Sequence, residues 1–272
     1  ELPEGGRAAR GQHVANLLEF QPEEKIAQVI QIQSYEDAPY LVLATQQGRV
    51  KKSRLTDYES ARSAGLIAIN LNEGDALIGA QLVSEGDDIL LTSEQGQAIR
   101  FTADDDQLRP MGRATAGVKG MRFRGDDQLL SMSVVHDGEF LLVAPSGGYG
   151  KRTAIEEYTP QGRGGLGVMT FKYTPKRGKL IGAISVDEDD EIFAITSAGG
   201  VIRTEVDQIR PSSRATMGVR LVNLADDVEL LAIDRNVEED GEEDAQAVAK
   251  GEKTVDEVQQ EHKAGDASKD EE

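Results

Sequence analysis

Short runs of β-branched and other apolar residues recur along the chain, separated by turns rich in glycine and aspartate. Clear examples are residues 77–83, 129–135 and 180–186. Runs of this length between Gly/Asp turns are typical of strands in an antiparallel sheet rather than of helices. We therefore predict an all-β fold made of many short strands.

The runs follow a repeat of about 50 residues. Each unit has a turn with an arginine and a closing glycine, and the closing glycines are 54, 52, 50 and 51 residues apart: Gly11, Gly65, Gly117, Gly167 and Gly218. Each unit then continues with three apolar runs and a glycine turn that leads to cations. A four-stranded unit at this spacing has the size of a propeller blade, and a closed ring of blades leaves no exposed sheet edge.

Cations also recur at the blade spacing. Lys52, Arg100, Arg152 and Arg203 close successive units at intervals of 48, 52 and 51 residues. Because equivalent residues of successive blades lie around a common axis, we expect these cations to form a ring or arc of positive charge. Such a band could bind an anionic polymer.

The net charge of −19 does not by itself argue against this interpretation. Residues 238–272 carry fourteen acidic residues against four lysines, which leaves a net charge of −9 on the rest of the chain. We expect residues 237–272 to form a disordered acidic tail, because this segment has no aromatic residue and little apolar surface to bury. The folded domain is predicted to be residues 1–236.

Several other classes of site have no signature in this chain. There is no cysteine, which excludes disulfides and thiolate zinc sites, and no apolar run is long enough to span a membrane. The acidic runs 104–106 and 187–190 lack the spacing of a calcium loop, and the three histidines are scattered. The chain spells G-x-G-x-x-G once, but a β-prone run over 168–173 follows instead of the helix that a dinucleotide site requires.

The most distinctive stretch is Gln161-Gly162-Arg163-Gly164-Gly165-Leu166-Gly167, which has four glycines and one cation in seven residues. A turn of this composition can direct several backbone N–H groups and a guanidinium toward one anion. A phosphate is the anion that such a turn suits best.

Together with the blade pattern, this stretch resembles the gyrase-A box, Gln-Arg-Arg-Gly-Gly-Lys-Gly, of the C-terminal DNA-wrapping domain of the bacterial DNA gyrase A protein. Gly162 and Leu166 replace two of the usual cations, so we expect this copy to hold phosphate less strongly. We also expect the principal box to precede Glu1. The resemblance implies an actinobacterial gyrase and a β-pinwheel, a propeller-like fold, here with about five to six four-stranded blades.

The resemblance further implies a domain that bends duplex DNA around a basic rim, so that the parent type II topoisomerase introduces negative supercoils with ATP. Its expected partners are double-stranded DNA, the remainder of the gyrase A protein and the gyrase B protein, in the cytoplasm at the nucleoid and not at a membrane. ATP and Mg belong to the parent complex; we expect this piece to hold no cofactor or metal and no catalytic residue. The candidate DNA contacts are Lys51, Lys52, Arg100, Arg113, Lys119, Arg122, Lys151, Arg152, Arg163, Lys172, Arg203, Arg214 and Arg220.

Two alternatives remain open from the sequence. The first is the equivalent domain of the topoisomerase IV A protein, which usually lacks a good box and wraps little DNA. The second is a propeller that serves as a protein-interaction platform, in which the repeated cations would be dispensable. A further hypothesis is that the acidic tail competes with DNA for the basic band.

Overall fold

The computed structural model describes residues 13, 16, 18, 19, 24–59 and 65–236. Within this part the chain is an array of short β-strands, so the predicted all-β class is confirmed. One helical turn, α1 (Asp105–Leu108), and three 3-10 turns follow second strands of hairpins, the 3-10 turns being Leu55–Tyr58, Ile155–Glu157 and Val206–Gln208. The strands are β1 (Tyr40–Thr45), β2 (Arg49–Arg54), β3 (Leu77–Val83), β4 (Asp88–Ser93), β5 (Gln97–Thr102), β6 (Val118–Lys119), β7 (Leu129–Val135), β8 (Phe140–Pro145), β9 (Tyr149–Ala154), β10 (Val168–Met169), β11 (Leu180–Val186), β12 (Glu191–Thr196), β13 (Val201–Glu205), β14 (Val219–Arg220) and β15 (Leu230–Asn236).

These strands form four sheets in the described part of the chain. Three have four strands, in the orders β3-β1-β2-β6, β10-β5-β4-β7 and β11-β8-β9-β14, and one has three, β13-β12-β15. The strand β6 lies beyond β5 in sequence, and β10 and β14 are displaced in the same way. Each four-stranded sheet therefore takes its hairpin from one repeat, its seven-residue strand from the next repeat and its two-residue strand from the repeat after that. This corrects the simpler expectation that one repeat forms one blade.

The number of blades is only partly visible. We expected about five to six blades, and four sheets lie within the described residues. The turn that contains Gly11 lies outside the described residues, as does the predicted acidic tail 237–272. Both predictions remain predictions.

The core is divided into layers between neighbouring sheets. Ile89 and Leu91 of β4 pack into a cluster shared with the first sheet, whereas Leu90, on the other face of the same strand, packs with the third sheet. Leu141 and Leu142 of β8 divide between two layers in the same way. A strand covered on both faces needs apolar residues at consecutive positions, which explains why these runs are continuous rather than alternating.

The long strands lie inside and the two-residue strands lie outside. The seven-residue strand β7 packs between β3 and β11, and β6, β10 and β14 occupy the opposite edges of their sheets. The repeated Arg/Gly turns lead directly into these outer strands. We name residues 113–119, 163–169 and 214–220 the edge loops.

The closing glycine of each edge loop is required by its position. Gly167 has a φ of +70°, and a Cβ atom there would lie 2.7 Å from the carbonyl carbon of Ala98 in β5. Gly117 meets Val50 and Gly218 meets Gly150 in the same way, each at a positive φ. The repeated glycines therefore mark the points where each edge loop crosses the second hairpin strand of the sheet that it joins.

Candidate nucleic-acid interface

The three edge loops form a continuous band because each contacts the next. The N–H of Gly164 donates to the carbonyl of Gly120 at 2.6 Å, and the N–H of Arg122 donates to the carbonyl of Gly165 at 2.8 Å. At the next junction the N–H of Lys172 donates to the carbonyl of Thr216 at 3.4 Å. The outer edge of three successive sheets is therefore one connected surface.

The cations of this band form no ion pairs with acidic side chains of the described residues, although the carboxylate of Glu157 accepts a hydrogen bond from the backbone N–H of Arg214 at 3.1 Å. Each edge loop lies in a stretch that contains no Asp or Glu: residues 107–125, 158–186 and 208–225. Among the predicted contacts, Lys119, Arg122, Lys172 and Arg220 are exposed, and Arg113, Arg163 and Arg214 are half-buried. Within the described residues, none of these seven side chains has a carboxylate within 4.0 Å; the ion pairs found there involve Lys52, Arg100, His136, Arg152, Lys179, Arg203 and Arg235.

The gyrase-A-box-like loop is held mainly by its own arginine. The guanidinium of Arg163 donates from Nε to the carbonyl of Gln107 and from Nη1 to the carbonyl of Lys119 at 3.1 Å. The Nε of Arg122 donates back to the carbonyl of Gly164 at 2.6 Å. Much of the hydrogen-bonding capacity that we expected to meet a phosphate is thus used within the fold. The remaining positions, Gln161, Gly162, Gly165, Leu166 and Gly167, surround this clamp, with Gly162 exposed and the other four half-buried.

Five of the predicted DNA contacts lie inside the protein. Lys51, Lys52 and Lys151 expose 0% of their surface, Arg152 exposes 2% and Arg100 exposes 8%. A charge that is enclosed by protein cannot reach a phosphate outside it. We therefore remove these five residues from the proposed interface.

The buried cations at the strand ends join one sheet to the next. Lys52 of the first sheet donates to the carbonyl of Ala103 beyond β5 at 2.7 Å, and Arg100 of the second sheet donates to Ile155 beyond β9 at 3.1 Å. Arg152 continues the series, because its Nε donates to the carbonyl of Ile209 beyond β13 and its Nη2 pairs with Glu188 at 2.9 Å, while its guanidinium lies over the ring of Phe140 in its own sheet. The repeated cations that suggested a basic ring therefore join neighbouring sheets.

Arg203 occupies the equivalent position in the fourth sheet but is exposed. It pairs with Glu191 across its own hairpin, with 2.6 Å between Nε and Oε2. Its charge is therefore already compensated, and we do not assign it to the band.

Lys51 and Lys151 support the edge loops from below. The Nζ of Lys51 donates to the carbonyl of Arg113, and the Nζ of Lys151 donates to the carbonyls of Ser213, at 2.7 Å, and Arg214. Burial lowers the pKa of both ammonium groups to about 8. Ile99 takes this position beneath the box-like loop, so that loop alone among the three lacks an ammonium support.

The structure also adds two cations that are not among the predicted DNA contacts. Arg49 donates to the carbonyls of Ala116 at 2.7 Å and Gly117 at 2.5 Å. Arg177, which the repeat pattern does not mark, donates to the carbonyl of Met217. For Arg177 the missed signal was its position in the acid-free stretch 158–186.

Other kinds of site find no support in the described part of the chain. No cluster of three or more acidic or histidine side chains there could hold a metal ion. No helix in those residues combines the length and the apolar character that crossing a membrane requires.

Comparison with known proteins gives a family. The family described as "DNA gyrase C-terminal domain, beta-propeller" matches five segments, residues 1–33, 39–84, 87–136, 139–187 and 190–236. The DNA gyrase A protein of Mycobacterium tuberculosis is 63% identical over 245 residues, and that of Streptomyces coelicolor is 59% identical over 243 residues. These alignments cover 90% and 88% of this chain but only 29% and 28% of the relatives, so the chain spans less than a third of their length.

Solved structures agree with the fold. A structure of the DNA gyrase A C-terminal domain superposes with a TM-score of 0.74 at 27% identity, covering 84% of this chain and 76% of the other. The C-terminal domain of DNA topoisomerase IV gives 0.78 at 25% identity, covering 89% and 75%. The shape is thus shared by both enzymes, whereas the high sequence identities are to actinobacterial gyrase A proteins. The resemblance drawn from the sequence is confirmed: the chain belongs to the family of DNA gyrase C-terminal, beta-propeller domains.

Proposed function

We propose that this domain binds double-stranded DNA along the band of edge loops and bends the duplex there, as the DNA-wrapping part of a gyrase A protein. The observation that supports this most directly is the continuous run of cations without carboxylate partners. The proposed contacts are Arg113, Lys119, Arg122, Arg163, Lys172, Arg214 and Arg220. They would meet phosphates rather than bases, so binding would be independent of sequence.

The parent protein would use this bend to fix the direction of strand passage. Bending a site of 20–30 base pairs by 40–90° costs about 1–6 kcal/mol, and contacts spread along the edge must offset that cost. A band that crosses three sheets distributes these contacts along the duplex instead of concentrating them at one point. Supercoiling itself would need the rest of the gyrase A protein together with the gyrase B protein, ATP and Mg, and we assign no cofactor to this domain.

A salt titration of the full chain on long linear duplex DNA tests the binding. The logarithm of the DNA-binding constant decreases linearly with the logarithm of the salt concentration, and the magnitude of this slope decreases by about 0.9 for each phosphate contact removed. Replacing both Lys119 and Lys172 by Gln should therefore reduce the slope by about 1.8. Arg54 and Arg210 are exposed, lie outside the edge loops and have no carboxylate partner among the described residues, so their double replacement by Gln is the matched control.

The outcomes separate the possible functions. Salt-dependent binding that depends on Lys119 and Lys172, but not on Arg54 and Arg210, supports the proposal. Equal effects of the two double variants, or weak binding that does not grow with DNA length, would favour a protein-interaction platform.

Religation of nicked circular DNA in the presence of the domain tests the bend itself. A shift in linking number is expected for a wrapping domain. Binding without such a shift would place the chain closer to the weakly wrapping topoisomerase IV type.

A further inference from the structure

Two arginines from different segments meet one tyrosine at the outer edge of the third sheet. Tyr149 begins β9 and pairs with Arg220 of β14. The Cζ atom of Arg220 lies 5.3 Å from the centre of the Tyr149 ring, and its Nη2 lies 3.3 Å from the tyrosine hydroxyl. The Cζ of Arg177 lies 3.9 Å from the same ring centre.

These two guanidinium groups are not neutralised by the protein. Within the described residues no carboxylate lies within 4.0 Å of Arg177 or Arg220, whereas Arg100 and Arg152 each have an acidic partner. Asp226, Asp227 and Glu229 line the adjoining cleft, but none of them forms an ion pair with the two arginines. Two like charges held at one ring repel each other, and an anion bound by both would relieve that repulsion.

The tyrosine gives the two groups a fixed orientation. A guanidinium that stacks on an aromatic ring is attracted to the ring face and keeps its N–H edge available for an oxygen ligand. Arg177 is fixed further by its bond to the carbonyl of Met217 in the edge loop. The side chains are therefore ordered before any ligand arrives, which lowers the entropy cost of binding.

We propose that Arg177 and Arg220, positioned by Tyr149, bind a backbone phosphate of double-stranded DNA and form the strongest contact of the band at the third sheet. This inference rests on the proposed function and adds a site to it. The cluster adjoins the contact between Lys172 and Thr216, so a duplex that follows the edge loops passes over it. This continuity favours a phosphate of a long polyanion over a free phosphate ion.

The cluster differs from the box-like loop in what its arginine does. Arg163 spends its guanidinium on two backbone carbonyls, and Arg122 beside it uses its Nε on the carbonyl of Gly164. Arg177 makes one such bond and shares its ring with Arg220. Replacing Arg163 should therefore lower stability more than DNA affinity, and replacing Arg177 should do the reverse.

The test compares single replacements in the full chain, with anisotropy of a labelled linear duplex as the readout across a salt series. Arg177→Gln and Arg220→Gln should each lower the salt slope by about 0.9 and weaken binding several-fold at fixed salt. Arg54→Gln removes the same charge from an exposed site outside the edge loops and should leave the slope unchanged. Arg177→Lys should keep most of the slope, because the charge remains.

Two tyrosine variants test the positioning role. Tyr149→Phe keeps the ring and should bind nearly as well as the wild type. Tyr149→Gln places the residue found at the equivalent position of the second sheet, Gln97, and should weaken binding to about the level of Arg177→Gln. Thermal unfolding of each variant shows whether the fold survives; if Arg177→Gln unfolds, Arg220→Gln and Tyr149→Gln decide.

Each result has one meaning. If the wild type shows no salt-dependent binding, the proposed function fails and not only this site. If the wild type binds and both arginine variants behave like Arg54→Gln, the phosphate site is refuted while the band remains. If Arg177→Lys behaves like Arg177→Gln, the arginine acts through its bond to Met217 and not through its charge, which also overturns the proposal.

Discussion

Replacing Gly167 by Ala should destabilise the domain far more than replacing Gly65 by Ala. The two glycines have nearly the same backbone conformation, with φ of +70° and +68°. Their surroundings differ. A Cβ atom at 167 would lie 2.7 Å from the carbonyl carbon of Ala98, and closer still to its oxygen, whereas at 65 it would meet nothing within 4 Å among the described residues.

The comparison separates the energetic cost of the backbone conformation from the cost of disturbing the contact between the edge loop and β5. An alanine at positive φ costs about 1–2 kcal/mol, and this applies to both variants. Forcing an extra carbon into a packed contact adds about 1–3 kcal/mol, and this applies to Gly167 alone. We expect losses of about 1 kcal/mol for Gly65→Ala and about 3 kcal/mol for Gly167→Ala. For a domain of this size each kcal/mol lowers Tm by about 2–4 °C.

Urea unfolding of the full chain, followed by far-ultraviolet circular dichroism, measures the difference. Gly162→Ala is the matched control in the same loop, because its φ is not positive and a Cβ there meets nothing within 4 Å in the described structure. Hydrogen exchange at Val168 should also accelerate in Gly167→Ala, since β10 pairs there with Ala98. Equal losses for Gly65 and Gly167 would show that the crossing of the edge loop over β5 contributes nothing beyond its backbone conformation.

Three further predictions concern the cations. Arg152→Met leaves the buried carbonyl of Ile209 without its donor, so urea unfolding should show a loss of about 1–3 kcal/mol, and a loss below about 0.5 kcal/mol would contradict the role of Arg152 in joining the third sheet to the fourth. Burial lowers the pKa of Lys151 from 10.5 to about 8, so the folded protein binds fewer protons between these values and stability should rise with pH across that window. Lys151→Met should lack this rise; parallel pH curves of unfolding free energy for the two proteins would refute the assignment. Arg163→Gln should lower the urea midpoint and reduce the magnitude of the salt slope of DNA binding by less than the roughly 0.9 of a full phosphate contact, whereas a reduction of about 0.9 with an unchanged urea midpoint would show that Arg163 acts mainly on phosphate.

Much of the fold was available from the sequence because glycine and β-branched runs act locally. The seven-residue inner strands β3, β7 and β11 match the apolar runs 77–83, 129–135 and 180–186 residue for residue. The repeat could not predict that the outer strand pairs with a strand of an earlier repeat. A repeat shows which residues are equivalent, but it does not show which copy each residue pairs with. The pairing of Val168 with Ala98 depends on contacts between distant segments.

The sequence could not separate the buried cations from the surface cations among the predicted DNA contacts, and the reason is physical. Recurrence at blade spacing marks any function that every blade needs, and each blade needs to be fastened to its neighbour. Lys52, Arg100 and Arg152 meet that structural need, and their burial is invisible in a list of cations. Arg177 has the opposite character, since it occurs once and lies on the surface, so no periodicity could point to it.

The distribution of charge, rather than its total, decides whether this anionic chain can bind DNA, and this leads to a last prediction. The three acid-free stretches hold thirteen of the thirty cations and none of the 49 acidic residues. At physiological salt the Debye length is about 8 Å, so a phosphate on the band responds mainly to these nearby cations. At about 10 mM salt it extends to about 30 Å, and the remaining acids, including residues 238–272, then repel the duplex as well. The plot of log K against log salt should therefore be linear at high salt and flatten at low salt, and deleting 238–272 should extend the linear range downward. A plot that stays linear to the lowest salt, unchanged by the deletion, would show that the tail and the acidic body exert no influence on DNA at the band.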